Sequence, residues 1–351
     1  MDNVQERITR LRNTVIKDIN KKVEGISAMS MADNEDERSK ISSISTTCLS
    51  IDNIFGCGGI PRGRIIDIYG SPSSGKTTLA LYIVGQIQKN GGVAAWFDAE
   101  YSFVADYAKK IGVDTKNLLL SQPYSGEDAF NAMHRLVESG DVDIIVVDST
   151  ASLVPAKELK MDIEENTIAL QARMMSVGLR KITGISSTTK TTIIFISQMR
   201  DKIGSFAGPT KDSTGGNALK FYSSVRLKVD RIKTLKGKDD VVMGNRLKIE
   251  ATKNKVGLPF RKAEIDLYFE KGIDVVGDIL DVAVFKGIVV KTGNTYSFEE
   301  VKLGVGRDNA RDFLDKNIEV YDKIRKYLIA LSKGEDKVEE EKRKPSTKKV
   351  K

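Results

Sequence analysis

The segment IDIYGSPSSGKTTLAL, residues 66–81, carries G-x-x-x-x-G-K-T between an apolar run and a helical run. That pattern binds a nucleoside triphosphate with magnesium. Gly70 and Gly75 let backbone N–H groups close on phosphate oxygens without a Cβ in the way. Ser71, Pro72, Ser73 and Ser74 complete the cradle, and Lys76, Thr77 and Thr78 open a helix whose positive end faces the same anion. Lys76 is placed to bridge the β- and γ-phosphates, and the Thr77 hydroxyl to ligate the metal.

Three polar residues end apolar runs and are expected at the same sheet edge. Asp148 closes DIIVVD, so its carboxylate should emerge where ligands of open α/β sheets bind and hold a magnesium-bound water. Glu100 follows WFDA and could take a proton from an attacking water, while Gln198 follows IIFIS and could sense the γ-phosphate. For Glu100 and Gln198 the plain alternative is a polar residue at a strand end. Gln198 opens a long glycine-containing stretch, QMRDKIGSFAGPTKDSTGGNALKF, of the kind that is functional or disordered. A second polar stretch, AKELKMDIEENT, precedes a long helical run. There Arg173 and Arg180 are seven apart and share a face, so these pieces form a candidate groove for a phosphate backbone.

The elements that must hold these residues are readable from periodicity. Apolar runs at 64–69, 93–98, 143–148 and 191–197 alternate with helical runs such as 78–89 and 129–139. Such alternation indicates an α/β fold with a mainly parallel sheet covered on both faces. Beyond residue 215, KFYSSVRLKVDRI, NRLKIEATKN and AEIDLYF alternate polar and apolar residues and are read as antiparallel strands extending that sheet. Near the start, Val4, Ile8, Leu11, Val15, Ile19 and Val23 form one stripe on a helix. A smaller α/β unit, with helices near 275–286 and 307–316, follows Gly272. The organisation expected is an N-terminal helix and linker (1–33), a core (34–271), a small C-terminal domain (272–331) and a charged, disordered tail (332–351). No internal repeat is present.

Bulk properties narrow the function. The 351 residues are 40% hydrophobic and 30% charged, as in a soluble globular protein, with no apolar run approaching the roughly 20 residues of a membrane span. The opening MDNVQERITRLRN lacks the apolar core of a secretory signal. Cys48 and Cys57 support neither a disulfide framework nor a zinc site and fit a reducing cytoplasm. The one histidine, His134, leaves no material for histidine triads or multi-histidine metal sites. A net charge of +8 favours polyanionic partners, although residues 332–351 supply part of it with eight Lys/Arg against five Asp/Glu.

The blocks GSPSSGKTT, WFDAEYSF, IIVVDS, FISQMRDKIG, STGGNALKFYSSVRL and TKNKVGLPF, in this order and spacing, resemble bacterial RecA recombinases over roughly residues 44–316. The resemblance implies a RecA-like P-loop ATPase core with an N-terminal polymerisation helix and a small C-terminal α/β domain. It implies a homo-oligomeric helical filament on single-stranded DNA, ATP- and Mg2+-dependent pairing with double-stranded DNA, strand exchange in recombination and repair, and stimulated self-cleavage of an SOS repressor. By the same resemblance Glu100 is the water-activating residue and Gln198 the link from γ-phosphate to DNA. Lys253 and Lys255 reach the neighbouring subunit's ATP, and Tyr107 meets the adenine. Arg173, Ser176, Arg180, Arg200, Gly215, Gly216 and Asn217 contact the primary strand, Ile203 wedges between base triplets, and Phe221 joins the N-terminal helix in polymerisation.

The chain departs from the family pattern at several of these positions. Ser71-Pro72 replaces Pro-Glu in the phosphate loop, Val104 stands where an aspartate reads adenine, and Ile168-Ala169 replace Met-Gly. Asp230 and Glu250 occupy positions that are often basic, with Arg231, Lys233, Lys236, Lys238, Arg246 and Lys248 nearby. Two alternatives are weighed against the recombinase: a ring-forming helicase motor, which usually uses an arginine finger where this chain offers Lys253 and Lys255, and a nucleotide-switched filament scaffold.

Overall fold

A computed structural model describes residues 4–17, 41–162, 169–201, 211–213 and 216–332. The chain divides into two compact units, Met1–Ser42 and Ser43–Lys351. In the first, helix α1 (Val4–Arg10) continues into a wider π-helical turn over Leu11–Ile16. Ile19 and Val23 of the expected stripe lie outside the described residues, as does the tail beyond Ser332.

The second unit is built on a sheet whose central strands are almost wholly apolar. Strands β3 (Ile65–Gly70), β4 (Ala94–Asp98) and β6 (Ile144–Asp148) are buried at every position, which requires helices on both faces. β5 (Leu118–Ser121), β4, β6, β7 (Thr192–Asp201), β3 and β9 (Val225–Lys236) lie side by side and parallel. β10 (Val242–Asn254), β11 (Lys262–Tyr268) and β12 (Gly272–Ile273) then continue the sheet antiparallel. β9 was expected to be antiparallel to its neighbours. It is antiparallel to β10 but parallel to β3, because the chain crosses over the sheet through α7 (Gly216–Tyr222) before entering it. A short separate ribbon pairs β1 (Ser43–Ile44) with β2 (Ile60–Pro61).

Helices cover both faces. On one lie α2 (Leu49–Phe55), α3 (Lys76–Lys89) and α4 (Ala105–Ile111), packed on Ile66, Ile68, Trp96, Val146 and Ile194. On the other lie α5 (Gly126–Ser139), α6 (Leu170–Thr189) and α7, packed on Ile65, Phe97, Val147 and Phe195. α5 shows why these helices start where they do: Ser125 caps it by accepting from the Asp128 amide at 3.1 Å, and Gly140 ends it at φ 77°.

The stretch after Gln198 also differs from a plain loop. β7 runs on to Asp201 and pairs antiparallel with β8 (Lys211–Ser213), so Gln198 lies within a strand. The C-terminal part contains α8 (Val275–Phe285), a three-stranded antiparallel sheet of β13 (Val290–Thr292), β14 (Thr295–Phe298) and β15 (Val301–Val305), and α9 (Arg307–Lys316). A further helix, α10 (Ile318–Ser332), was not read from the sequence. This part has its own core around Leu280, Phe298, Leu314 and Ile324. Arg307 ties it to β11 of the main sheet through Asp266 and to α8 through Asp281, each at 2.8 Å.

Candidate functional site

The phosphate loop turns tightly between β3 and α3. Ser73 (φ 56°) and Gly75 (φ 92°) are left-handed, and a Cβ at Gly70 would collide with the Val229 carbonyl. That geometry leaves backbone amides facing the space that phosphates take. Two features of the loop fit a bound anion. The Lys76 amine lies inside the loop, donating to the Ser71 carbonyl at 2.8 Å, and the Ser74 hydroxyl is buried with no hydrogen-bond partner among the described residues. Burial lowers the Lys76 pKa, opposed by Asp148 and Glu100.

Sheet order brings the acids to the loop. β6 lies two strands from β3, with β7 between them, so Asp148 ends beside the start of α3 and accepts from the Thr77 hydroxyl at 2.8 Å. Burial pushes the Asp148 carboxyl up to about 6; the Thr77 bond and Lys76 oppose this, and Glu100 and Asp98 add to it. Such a cluster of acids is what a divalent cation relieves. Among the described residues no group of three or more His, Cys, Asp or Glu side chains could hold a metal alone. The paired oxygens of Thr77 and Asp148 are hard donors of the kind magnesium takes beside phosphate oxygens.

Glu100 is exposed at the end of β4 and accepts from both Ser149 Oγ and Gln198 Nε2, the latter at 3.3 Å. Two of the three strand-end residues are thus in direct contact. Asp98, 1% exposed, holds the following turn by accepting from the Ser102 and Phe103 amides and from Gln122, each at 3.0 Å. Tyr107 is hydrogen-bonded to Thr78 at 2.8 Å, within one turn of Lys76, and Val104 is 60% exposed beside it.

Lys253 and Lys255 lie at the far end of β10. Lys253 Nζ donates to the Lys220 and Phe221 carbonyls at 2.5 and 3.0 Å, capping the C-terminus of α7. Burial, with Lys255 and Arg226 nearby, lowers its pKa to about 8. Lys255 and Phe221 are exposed. Lys253 therefore faces α7 within its own subunit, and Lys255 is open to solvent beyond the end of β10.

Arg173, Ser176 and Arg180 are exposed on one face of α6, whose opposite face buries Met175, Leu179 and Ile182. Asn217 is exposed at the start of α7, beside Lys220 at 3.3 Å. Gly216 begins that helix and Arg200 lies in β7, while Ile203, Gly215 and Ile168 lie outside the described residues. Ala169 precedes α6 at φ 70°, a left-handed position that costs an alanine roughly 1–2 kcal/mol. On the sheet extension Asp230 is paired with Lys228 at 2.8 Å and Glu250 with Lys262 at 3.7 Å, which neutralises much of that face.

Sequence reasoning missed Ser149, Asp98 and the buried pair Asp67 and Ser197 with half-buried Arg226 beside them. The only signal for Asp67 was a charge inside the apolar run RIIDIY.

Comparison with known proteins agrees with this geometry. A model of the RecA N-terminal domain matches residues 10–274, and one of the RecA C-terminal domain matches 277–332. Protein RecA of Mycobacteroides abscessus is 48% identical over 294 residues, covering 84% of this chain and 85% of that protein. Protein RecA of Clostridium tetani is 47% identical over 309 residues (87% and 88%), and that of Nocardia farcinica 49% over 294 (84% of each). Two domain models that together run from residue 10 to 332, and relatives near 48% identity, show that the chain belongs to the RecA family.

Proposed function

We propose that this protein is a DNA-dependent ATPase that assembles as a helical filament on single-stranded DNA and catalyses homologous pairing and strand exchange in recombination and repair. The observation that carries the reading is the contact of Glu100 with Gln198 beside a complete phosphate loop. ATP binds along Gly70–Thr78, Lys76 turns from the Ser71 carbonyl to the phosphates, and Tyr107 flanks the base. Thr77 and Asp148 would hold Mg2+, which supplies charge neutralisation on the phosphates. Glu100 accepts the proton of the attacking water. Gln198 reports the state of the γ-phosphate to β7 and the segment beyond it, which leads to α7 and Asn217. Arg173, Ser176, Arg180, Arg200, Gly215, Gly216 and Asn217 take the DNA backbone and Ile203 separates its bases.

Lys253 and Lys255 act on the ATP of the next subunit, with Phe221 and the N-terminal helix making the polymer contact. Stimulation of SOS repressor self-cleavage belongs to the same filament. Among the described residues no helix is long and apolar enough to cross a membrane, and we place the protein in the cytoplasm. Family membership does not favour a ring-forming motor or a scaffold without exchange activity.

Electron microscopy with single-stranded DNA and a slowly hydrolysed ATP analogue should show helical filaments. Closed rings would overturn the reading. A strand-exchange assay with homologous duplex then separates recombinase from scaffold.

A further inference from the structure

Asp67 is a carboxylate with no exposed surface in a central strand of the parallel sheet. Ile65, Ile66 and Ile68 around it are buried and apolar. Desolvating a charge here is costly even when it is paired, and well-packed apolar side chains often serve stability as well. Stability therefore gives no reason for an acid at this position, whereas its contacts do.

One oxygen accepts from Ser197 Oγ and the other from Arg226 Nε, both at 2.8 Å. Ser197 immediately precedes Gln198, the partner of Glu100. Its hydroxyl is also within 3.2 Å of Thr150 Oγ1, one residue beyond Ser149, the second partner of Glu100. On this side Asp67 braces both elements that present hydrogen-bond donors to Glu100.

The other side leads away from the subunit's own nucleotide. Arg226 lies over the Tyr69 ring at 4.4 Å, and Tyr69 Oη is bonded to Thr252 at 2.9 Å. Thr252 is the residue before Lys253. Arg226 is also the direct partner of Lys253 across the β9–β10 ladder, at an irregularity between Ala251 and Lys253. Asp67 is thus the shared acceptor between the strand that carries Gln198 and the strand pair that carries Lys253 and Lys255.

We propose that Asp67 is a positioning residue that couples the ATP held by its own subunit to the lysines serving the ATP of the next, making hydrolysis cooperative along the filament. The inference rests on the reading in which Lys253 and Lys255 act across the subunit boundary. A movement of β7 on loss of the γ-phosphate is passed through one rigid carboxylate to Arg226, and from there to the end of β10. Asp67 itself touches no substrate.

The test uses the full chain, with ATP turnover measured against ATP concentration in the presence and absence of poly(dT). Asp67→Asn keeps the shape and removes the charge. Ser197→Ala removes one hydroxyl and leaves β7 paired, so it provides a variant that folds. Both should lower the Hill coefficient for ATP toward one and reduce DNA-stimulated kcat about tenfold, with KM for ATP within about threefold. The double variant should be no worse than Asp67→Asn alone, because the two residues act as a unit. Wild-type Hill coefficient and turnover in both variants would overturn the proposal. So would a parallel fall of kcat, ATP affinity and Tm, the signature of a merely structural role. Wild-type protein without DNA-stimulated turnover would strike the functional reading itself and the coupling with it, a failure distinct from the other two.

Discussion

Thr77 and Asp148 stand 71 residues apart in sequence, yet the Thr77 hydroxyl donates to the Asp148 carboxylate at 2.8 Å. That bond joins the first turn of α3 to the end of β6 and sets the distance between phosphate loop and acid before any ligand arrives. It also explains why Asp148 can remain buried as an acid: a donor is already in place, and a cation would add the opposite charge.

Lys76→Ala removes the one ammonium inside the loop. Binding of ATP, followed by calorimetry or a fluorescent analogue, should weaken by about a hundredfold or more, since a buried charge-assisted contact to phosphate is lost. Retained tight binding would contradict the assignment of the loop.

Glu100→Gln keeps the size and the hydrogen-bonding capacity of the side chain but cannot take a proton. Filaments on single-stranded DNA should still be visible by microscopy, while phosphate release falls by roughly 10²–10⁴-fold. Unchanged turnover would remove Glu100 from the chemistry.

The Asp148 carboxyl, raised to about 6 by burial, carries a proton below that pH. Metal binding needs the ionised form, so Mg·ATP affinity should be flat above pH 7 and fall about tenfold per unit below pH 6. Asp148→Asn should bind more weakly at pH 7 and lose the acid limb of this profile. The same limb in the variant would assign it to another group.

Lys253 has an amine pKa of about 8 and is about half neutral at pH 8. Acylation at that pH, read by mass spectrometry, should label it faster than an exposed lysine such as Lys109. Adding single-stranded DNA and an ATP analogue should protect it, because a phosphate partner restores the charge. Labelling that ignores the ligands would place the lysine away from any subunit boundary.

Arg173→Ala and Arg180→Ala should weaken single-stranded DNA binding without altering the fold, as both side chains are exposed. Each should reduce the slope of log affinity against log salt by about 0.7, the value for one phosphate contact on a single strand. A slope equal to that of the wild type would take that arginine off the DNA path.

The phosphate loop was legible because it is contiguous: nine residues, their strand and their helix are adjacent in the chain, and their chemistry is carried by residue type alone. The apolar runs of β3, β4, β6 and β7 were legible for a similar reason, since burial on both faces leaves no polar alternation. Asp148, Glu100 and Gln198 could be named as strand-end residues. That Gln198 and Ser149 meet on Glu100 could not, because periodicity carries no strand order.

Other features depended on pairing between distant segments. β9 alternates like an antiparallel strand, and its parallel pairing with β3 follows from the crossover through α7. The α10 helix was missed because Asn317 is the only residue between it and α9. Local residue types and spacing thus determined the nucleotide loop, the α/β class and the family resemblance, all short-range properties of the chain. Assembly of the sheet decided the rest. Stacking β9, β3, β7 and β6 side by side placed Arg226, Asp67, Ser197 and Thr150 within hydrogen-bond reach, although 130 residues separate Asp67 from Ser197. A buried carboxylate must find its donors wherever the strand order puts them, and that order is a property of the packed whole.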